Sequence, residues 1–139
     1  MAFDPERFVE AQDTVYDDVR SELRRGRKSS HWMWFVFPQL AGLGRSATAQ
    51  RYAIESLDEA REYLAHPVLG ERLRECAALV LAAPTTDPVA IFGSVDAMKL
   101  RSSMTLFHRA VPSEAVFRAV LDRCFGGIED QRTEERLGA

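Results

Sequence analysis

Residues 29–39 read Ser29-Ser30-His31-Trp32-Met33-Trp34-Phe35-Val36-Phe37-Pro38-Gln39. The run from His31 to Phe37 decides the fold class. A continuous apolar run this short has no period to read, so it suits a buried strand nearly as well as a short helix. The rest of the chain favours the helix, because no other stretch offers a strand partner. The segment is therefore expected to be a short helix, capped by Ser29 or Ser30 and stopped at Pro38.

Upstream, Asp4-Pro5 has the form of a helix start, a capping carboxylate followed by proline. Phe8, Ala11, Val15, Val19 and Leu23 follow at helical spacing, and Gly26 closes the segment. Downstream, Gly42-Leu43-Gly44-Arg45-Ser46 is a loop ending in a serine cap, with a helix over 47–54. Ser56-Leu57-Asp58-Glu59 is a capping box, in which Glu59 can reach back to the Ser56 amide. That helix ends at His66-Pro67, since a residue before proline avoids helical angles. Leu69, Leu73, Cys76, Leu79 and Val80 stripe the next helix, which Pro84 ends. Val89–Gly93 makes a single turn, and Ser94 or Asp96 can cap a helix through Ala110. Pro112-Ser113-Glu114 opens the last long helix, and Gly126-Gly127 end it. From about residue 128 to Ala139 the chain is polar, with a turn near Thr133, and is expected to fray. The sum is an all-α, compact, multihelical single domain of six or seven helices.

Composition narrows the function classes. The chain has 139 residues, 46% hydrophobic and 28% charged. Such a balance suits one soluble domain rather than a disordered chain. Its formal net charge of −3 argues against a globally basic nucleic-acid binder. Arg24, Arg25, Arg27 and Lys28 cluster locally, at a helix end whose dipole favours cations. Two cysteines without CxxC spacing, Cys76 and Cys124, read as small hydrophobes rather than metal ligands. No metal or cofactor motif is present, and no apolar run approaches the ~20 residues that span a bilayer. The N-terminus, Met1-Ala2-Phe3-Asp4, has no leader pattern, so the expected location is cytoplasmic.

Three constellations could carry chemistry. Gly42, Gly44, Arg45 and Ser46 precede a helix, where free amides and a cation favour an anion. Lys99, Ser102 and Ser103 share one helix face at i, i+3 and i+4 spacing. Hydroxyls in an apolar helix need partners, either a carbonyl one turn back or a ligand. Lys28, His31, Trp34 and Gln39 put a cation, an imidazole and an amide beside aromatic faces. His66 and His108 carry less information, one in a turn and one near a helix end.

The residues Ser30 to Gln39 with Gly42-Leu43-Gly44, and Lys99-Leu100-Arg101-Ser102-Ser103-Met104-Thr105-Leu106-Phe107, resemble the two signatures of the family catalogued as domain of unknown function 1810. Arg7-Phe8, Ala11-Gln12, Tyr16, Tyr63-Leu64 and Ile91-Phe92-Gly93 also fit, so the resemblance covers roughly residues 3–135. It implies a mainly helical fold and brings no assigned activity. The calpastatin-like label sometimes attached to that family does not suit this chain, because calpastatins are long disordered inhibitors. Small size and an aromatic-rich helical core are also similar to helical domains of ADP-ribose metabolism, an analogy of fold only.

These observations predict an interhelical pocket for an anionic small ligand, a nucleotide or ADP-ribose-like compound. Lys28, His31, Trp34, Gln39, Arg45, Ser46, Lys99, Ser102 and Ser103 would line it. One alternative is a hydrolase or transferase acting on that ligand, with His31 or Lys99 as acid or base. The other is a non-enzymatic interaction or regulatory module, anchored on exposed Trp32 and Phe35 against a protein partner.

Overall fold

The first helical stretch does not run through to Gly26 in one piece. In the computed structural model, which describes residues 3–138, it divides into α1 (Glu6–Asp13) and α2 (Tyr16–Arg25). The break falls at Thr14-Val15, two neighbours whose β-branched side chains crowd a helix. Val15 sits at φ −126°, outside the helical region, and its N–H turns back to the Gln12 carbonyl at 3.0 Å. The expected start holds: Asp4 Oδ1 accepts from the Glu6 amide at 3.1 Å. The expected end holds as well, with Gly26 left-handed at φ 72°, as a glycine C-cap requires.

The aromatic run is helical, as α3 (Met33–Val36), but no serine caps it. The Ser30 hydroxyl instead donates to the Glu22 carboxylate at 2.5 Å. Ser46 does cap α4 (Ala47–Arg51), accepting from the Ala49 amide at 3.0 Å. That helix is shorter than the expected 47–54, because Ile54 is drawn into an isolated parallel bridge with Leu40. Its amide donates to the Gln39 carbonyl at 2.9 Å, and its carbonyl accepts from the Ala41 amide at 2.8 Å. This bridge fixes residues 39–41 beside the start of the next helix, α5 (Leu57–Ala65). Ser56 caps α5 as expected, and Glu59 reaches back one residue further, to the Glu55 amide at 3.1 Å.

His66 links α5 to α6 (Leu69–Leu81) by accepting from the Val68 and Leu69 amides, both at 3.2 Å. The long α7 (Pro88–Ala110) opens with Asp87 capping Val89. It breaks at Gly93, where φ is 80° and ψ is 165°, a conformation that favours glycine. α8 (Ala115–Phe125) ends at left-handed Gly126. The tail then forms a further helix, α9 (Gln131–Leu137), so the described residues hold nine helices rather than six or seven. Asp130 caps it, accepting from the Thr133 amide at 3.0 Å and the Thr133 hydroxyl at 2.6 Å. The expectation of a fraying tail is corrected, because Thr133 is wholly buried. Ala139 and the first two residues lie outside the described part of the chain.

α7 is the central element. Leu100, Met104, Leu106 and Phe107 are fully buried on it. A line of rings, Phe8, Tyr63, Phe107 and Phe117, crosses the core with successive centroids 5.2 Å, 5.4 Å and 5.9 Å apart. Those separations lie in the range where aromatic pairs attract beyond their buried area. Cys76 is buried, which pushes its thiol up to about 12. Such a thiol is unreactive at neutral pH, because the thiolate is the nucleophile. Among the described residues no helix is long and apolar enough to cross a membrane, and no metal-binding cluster forms.

Candidate functional site

α7 presents Val95, Met98, Lys99 and Ser102 along one side. The bridge at Leu40 holds Gln39 and the 41–44 loop opposite them. α9 and its cap close the third side, bringing Arg132 and Asp130. Between these walls lies a cleft of about 200 Å³. Two arginines one turn apart on α9 hold the loop: Arg132 donates to the Leu43 carbonyl at 3.2 Å, and Arg136 to the Ala41 carbonyl at 2.8 Å. Gly42 is left-handed at φ 93°, and the Arg136 guanidinium occupies the space a side chain there would need. Glycine is the residue that meets both demands.

Of the sequence-nominated residues, Gln39, Lys99 and Ser102 line this cleft, with Gly44 beside them. Trp34 adjoins it, its ring 4.9 Å from the Lys99 ammonium, within cation–π reach. Lys28 lies a step away, its side chain only 8% exposed. It pairs with Asp96 at 2.9 Å, donates to the Ser30 carbonyl at 2.6 Å and lies 5.1 Å from the Trp32 ring. Asp96 stands 3.6 Å from Lys99, so one carboxylate serves two ammonium groups. The shorter contact goes to Lys28, which leaves Lys99 as the cation directed at the cleft.

The other nominations do not join it. His31 and Arg45 are exposed and outside the cleft, and the Ser46 hydroxyl is used as the α4 cap. Ser103 is fully buried, its Oγ has no hydrogen-bond partner, and it does not reach the cleft. The Ser102 hydroxyl donates back to the Met98 carbonyl at 3.1 Å, and that of Thr105 to the Arg101 carbonyl at 2.8 Å. These are the bonds one turn back that let a hydroxyl sit inside a helix. The Ser102 proton is so used, and His31, one of the two residues offered as acid or base, is exposed outside the cleft, whereas Lys99 lines it.

Three residues central to this region were not nominated by the sequence. Asp130 and Arg132 belong to the segment expected to fray. Glu22 is the third: a carboxylate 4% exposed, it accepts from the Ser29 and Ser30 amides at 2.7 and 2.9 Å and from the Ser30 hydroxyl. It also takes the Trp32 indole N–H at 3.0 Å. Burial works against the charged form, but these four donors together outweigh it and hold the carboxyl down at about 2. Glu22 thereby fixes the turn that carries Lys28 and Trp32. The only sequence signal was a glutamate on the apolar side of α2.

Two other hollows are less suited to an anion. The larger, about 410 Å³, lies at the α5 start and is lined by the Glu55 and Asp58 acids beside Arg136. The second, about 310 Å³, lies between α2 and α6, where two acids, Glu71 and Glu75, face its one arginine, Arg72. There Tyr16 donates to Glu75 at 2.5 Å, and Arg72 pairs with Asp13 at 2.9 Å and reaches Gln12 at 3.3 Å.

Comparison with known proteins places this geometry in a family without assigning it an activity. A crystal structure of the conserved hypothetical protein Rv1873 from Mycobacterium tuberculosis is 53% identical, with a TM-score of 0.96 over 99% of this chain and 98% of that one. None of the curated proteins compared with the chain matches it. A family model described as protein of unknown function (DUF1810) matches residues 2–137, and with nearly the whole chain covered, the protein belongs to that family.

Proposed function

We propose that this protein binds a small anionic ligand, a nucleotide or a fragment of an ADP-ribose-like compound, in the cleft between α7, α9 and the 39–44 loop. One observation carries the reading: three separate segments, the loop with Gln39, α7 with Lys99 and Ser102, and α9 with Arg132, meet in one cleft. Lys99 and Arg132 supply the positive charge, and Val95 and Met98 supply an apolar wall, 67% and 56% exposed. The size limits the ligand. Sites for drug-sized molecules start at roughly 300 Å³, so about 200 Å³ takes a small molecule or one end of a longer one. The cytoplasm is the setting that suits the two free thiols, since reducing compartments keep thiols unpaired.

A thermal-shift series with phosphate, AMP, ADP and ADP-ribose tests this, on wild type and Lys99→Ala. A ligand at 100 times its Kd stabilises the fold by about 2.7 kcal/mol, enough to raise Tm by several degrees. Losing the Lys99 charge should weaken binding about tenfold, halving the stabilisation at that concentration to about 1.4 kcal/mol. Equal shifts in both proteins, or none in wild type, overturn the proposal.

A protein partner is the second reading. Trp32 and Phe35 do not anchor it, since Trp32 is fully buried and Phe35 is half-buried. What favours it is the exposure of Val95 and Met98 side by side on the cleft wall, because clustered apolar surface marks interaction sites.

A further inference from the structure

We infer that the ligand of this cleft is a sugar monophosphate, or the sugar–phosphate end of a larger molecule, and that Asp130 selects it. The inference rests on the proposed anion site and deepens it. A cleft for a bare anion would gain nothing from a carboxylate, yet Asp130 lines the wall with Lys99 and Arg132.

Its two oxygens differ in what they do. Oδ2 accepts from the amide and hydroxyl of Thr133 and so caps α9. Oδ1 accepts nothing among the described residues. An ionised carboxylate is an acceptor only, so a ligand must offer it donors or suffer its charge. Phosphate oxygens repel it; hydroxyls satisfy it.

The remaining polar groups have the same preference. The Gln39 side chain lines the cleft and makes no hydrogen bond within the described residues, so its amide can both donate and accept. The Ser102 oxygen, its proton given to Met98, keeps free lone pairs. The cleft therefore pairs two cations with three groups that accept from hydroxyls. Lys99 and Arg132 offset most of the charge of one phosphate dianion, and sugar hydroxyls donating to Asp130 relieve the rest of its repulsion. A diphosphate brings more negative charge than the cations offset, and Asp130 adds to the repulsion. At about 200 Å³ the cleft is sized for a small molecule, and Val95 and Met98 on its wall can pack on the C–H face of a sugar ring.

The experiment is calorimetric titration with ribose 5-phosphate, inorganic phosphate, pyrophosphate and ribose, on wild type and Asp130→Asn. Asparagine caps a helix as well as aspartate does, so the variant keeps α9 while removing the charge. On wild type, ribose 5-phosphate should bind about tenfold tighter than phosphate or pyrophosphate, and ribose should not bind measurably. In Asp130→Asn, the sugar phosphate should weaken by about fivefold and pyrophosphate tighten, closing the gap. Pyrophosphate binding tightest to wild type, or a ranking unmoved by Asp130→Asn, overturns the sugar-phosphate inference and leaves the anion site standing. Failure of every phosphate to bind folded wild-type protein overturns both.

Discussion

Replacing Glu22 by alanine is expected to lower stability by about 3–5 kcal/mol, because hydrogen bonds to a charged acceptor contribute about 1.5–3 kcal/mol each and their removal leaves buried donors unpaired. The carboxylate accepts four hydrogen bonds, from the Ser29 and Ser30 amides, the Ser30 hydroxyl and the Trp32 indole. Alanine leaves the indole N–H unpaired in a fully buried tryptophan. The amides of the 28–32 turn lose their anchor with it. Thermal unfolding followed by circular dichroism should show Tm reduced by about 10 °C or more. Glu22→Gln keeps the shape and should lose about 1.5–3 kcal/mol. A loss below about 1 kcal/mol for Glu22→Ala, the size of an ordinary single substitution, would contradict the account of this turn.

The same residue predicts an acid limb. Its carboxyl is held at about 2, against an ordinary value of 4.5. The folded state therefore favours the ionised form, and its contribution to stability is fully present above the ordinary value. That contribution is lost as pH falls from there toward the folded value, because the unfolded chain takes up the proton first. The amount at stake is on the order of 3 kcal/mol. Glu22→Gln should remove this slope, so its stability relative to wild type should improve as pH falls through the window.

Deleting residues 129–139 is the second large effect, with an expected loss of about 3 kcal/mol, since each net hydrogen bond contributes about 1 kcal/mol. The removed segment pairs Glu129 with Arg109 at 2.9 Å and donates the Asp130 amide to the Thr105 hydroxyl at 2.9 Å. It also holds the Leu43 and Ala41 carbonyls through Arg132 and Arg136. Leu137 and Thr133 add packing against the core. A tail that merely frays would be lost at under ~0.5 kcal/mol. Urea unfolding of the shortened chain distinguishes the two, and the shortened chain should also fail to bind any anion in the cleft.

What was legible in the sequence was local. Asp4, Ser46, Ser56 and Gly126 act within a turn or so of where they stand, so their caps could be read directly. The missed features depend on partners brought close by folding. Val15 breaks the first helix in a packed setting that a helical stripe does not reveal. Ile54 leaves its helix for a bridge to Leu40, across the intervening loop. α9 was missed because its sequence is polar; arginines reaching backbone carbonyls from the other end of the chain hold it. The capping signal was present, since Asp130 and Thr133 have cap spacing.

The site divides the same way. Lys99 and Ser102 were readable as a polar pair on an apolar helix, and Gln39 as an amide beside the aromatic motif. Ser103 shares their nominal face, but packing turns it into the core. Arg45 and Ser46 follow the glycines that shape the loop, yet both are exposed. Asp130 and Arg132 were invisible as long as the tail was taken to be loose.

The most direct test of the cleft is a 15N amide titration with ribose 5-phosphate. The account predicts saturable shifts grouped at Gly44, Lys99, Ser102 and Arg132, weakened in Lys99→Ala. Shifts confined to the exposed Arg24, Arg25 and Arg27 cluster, or no shifts in well-folded protein, would contradict it.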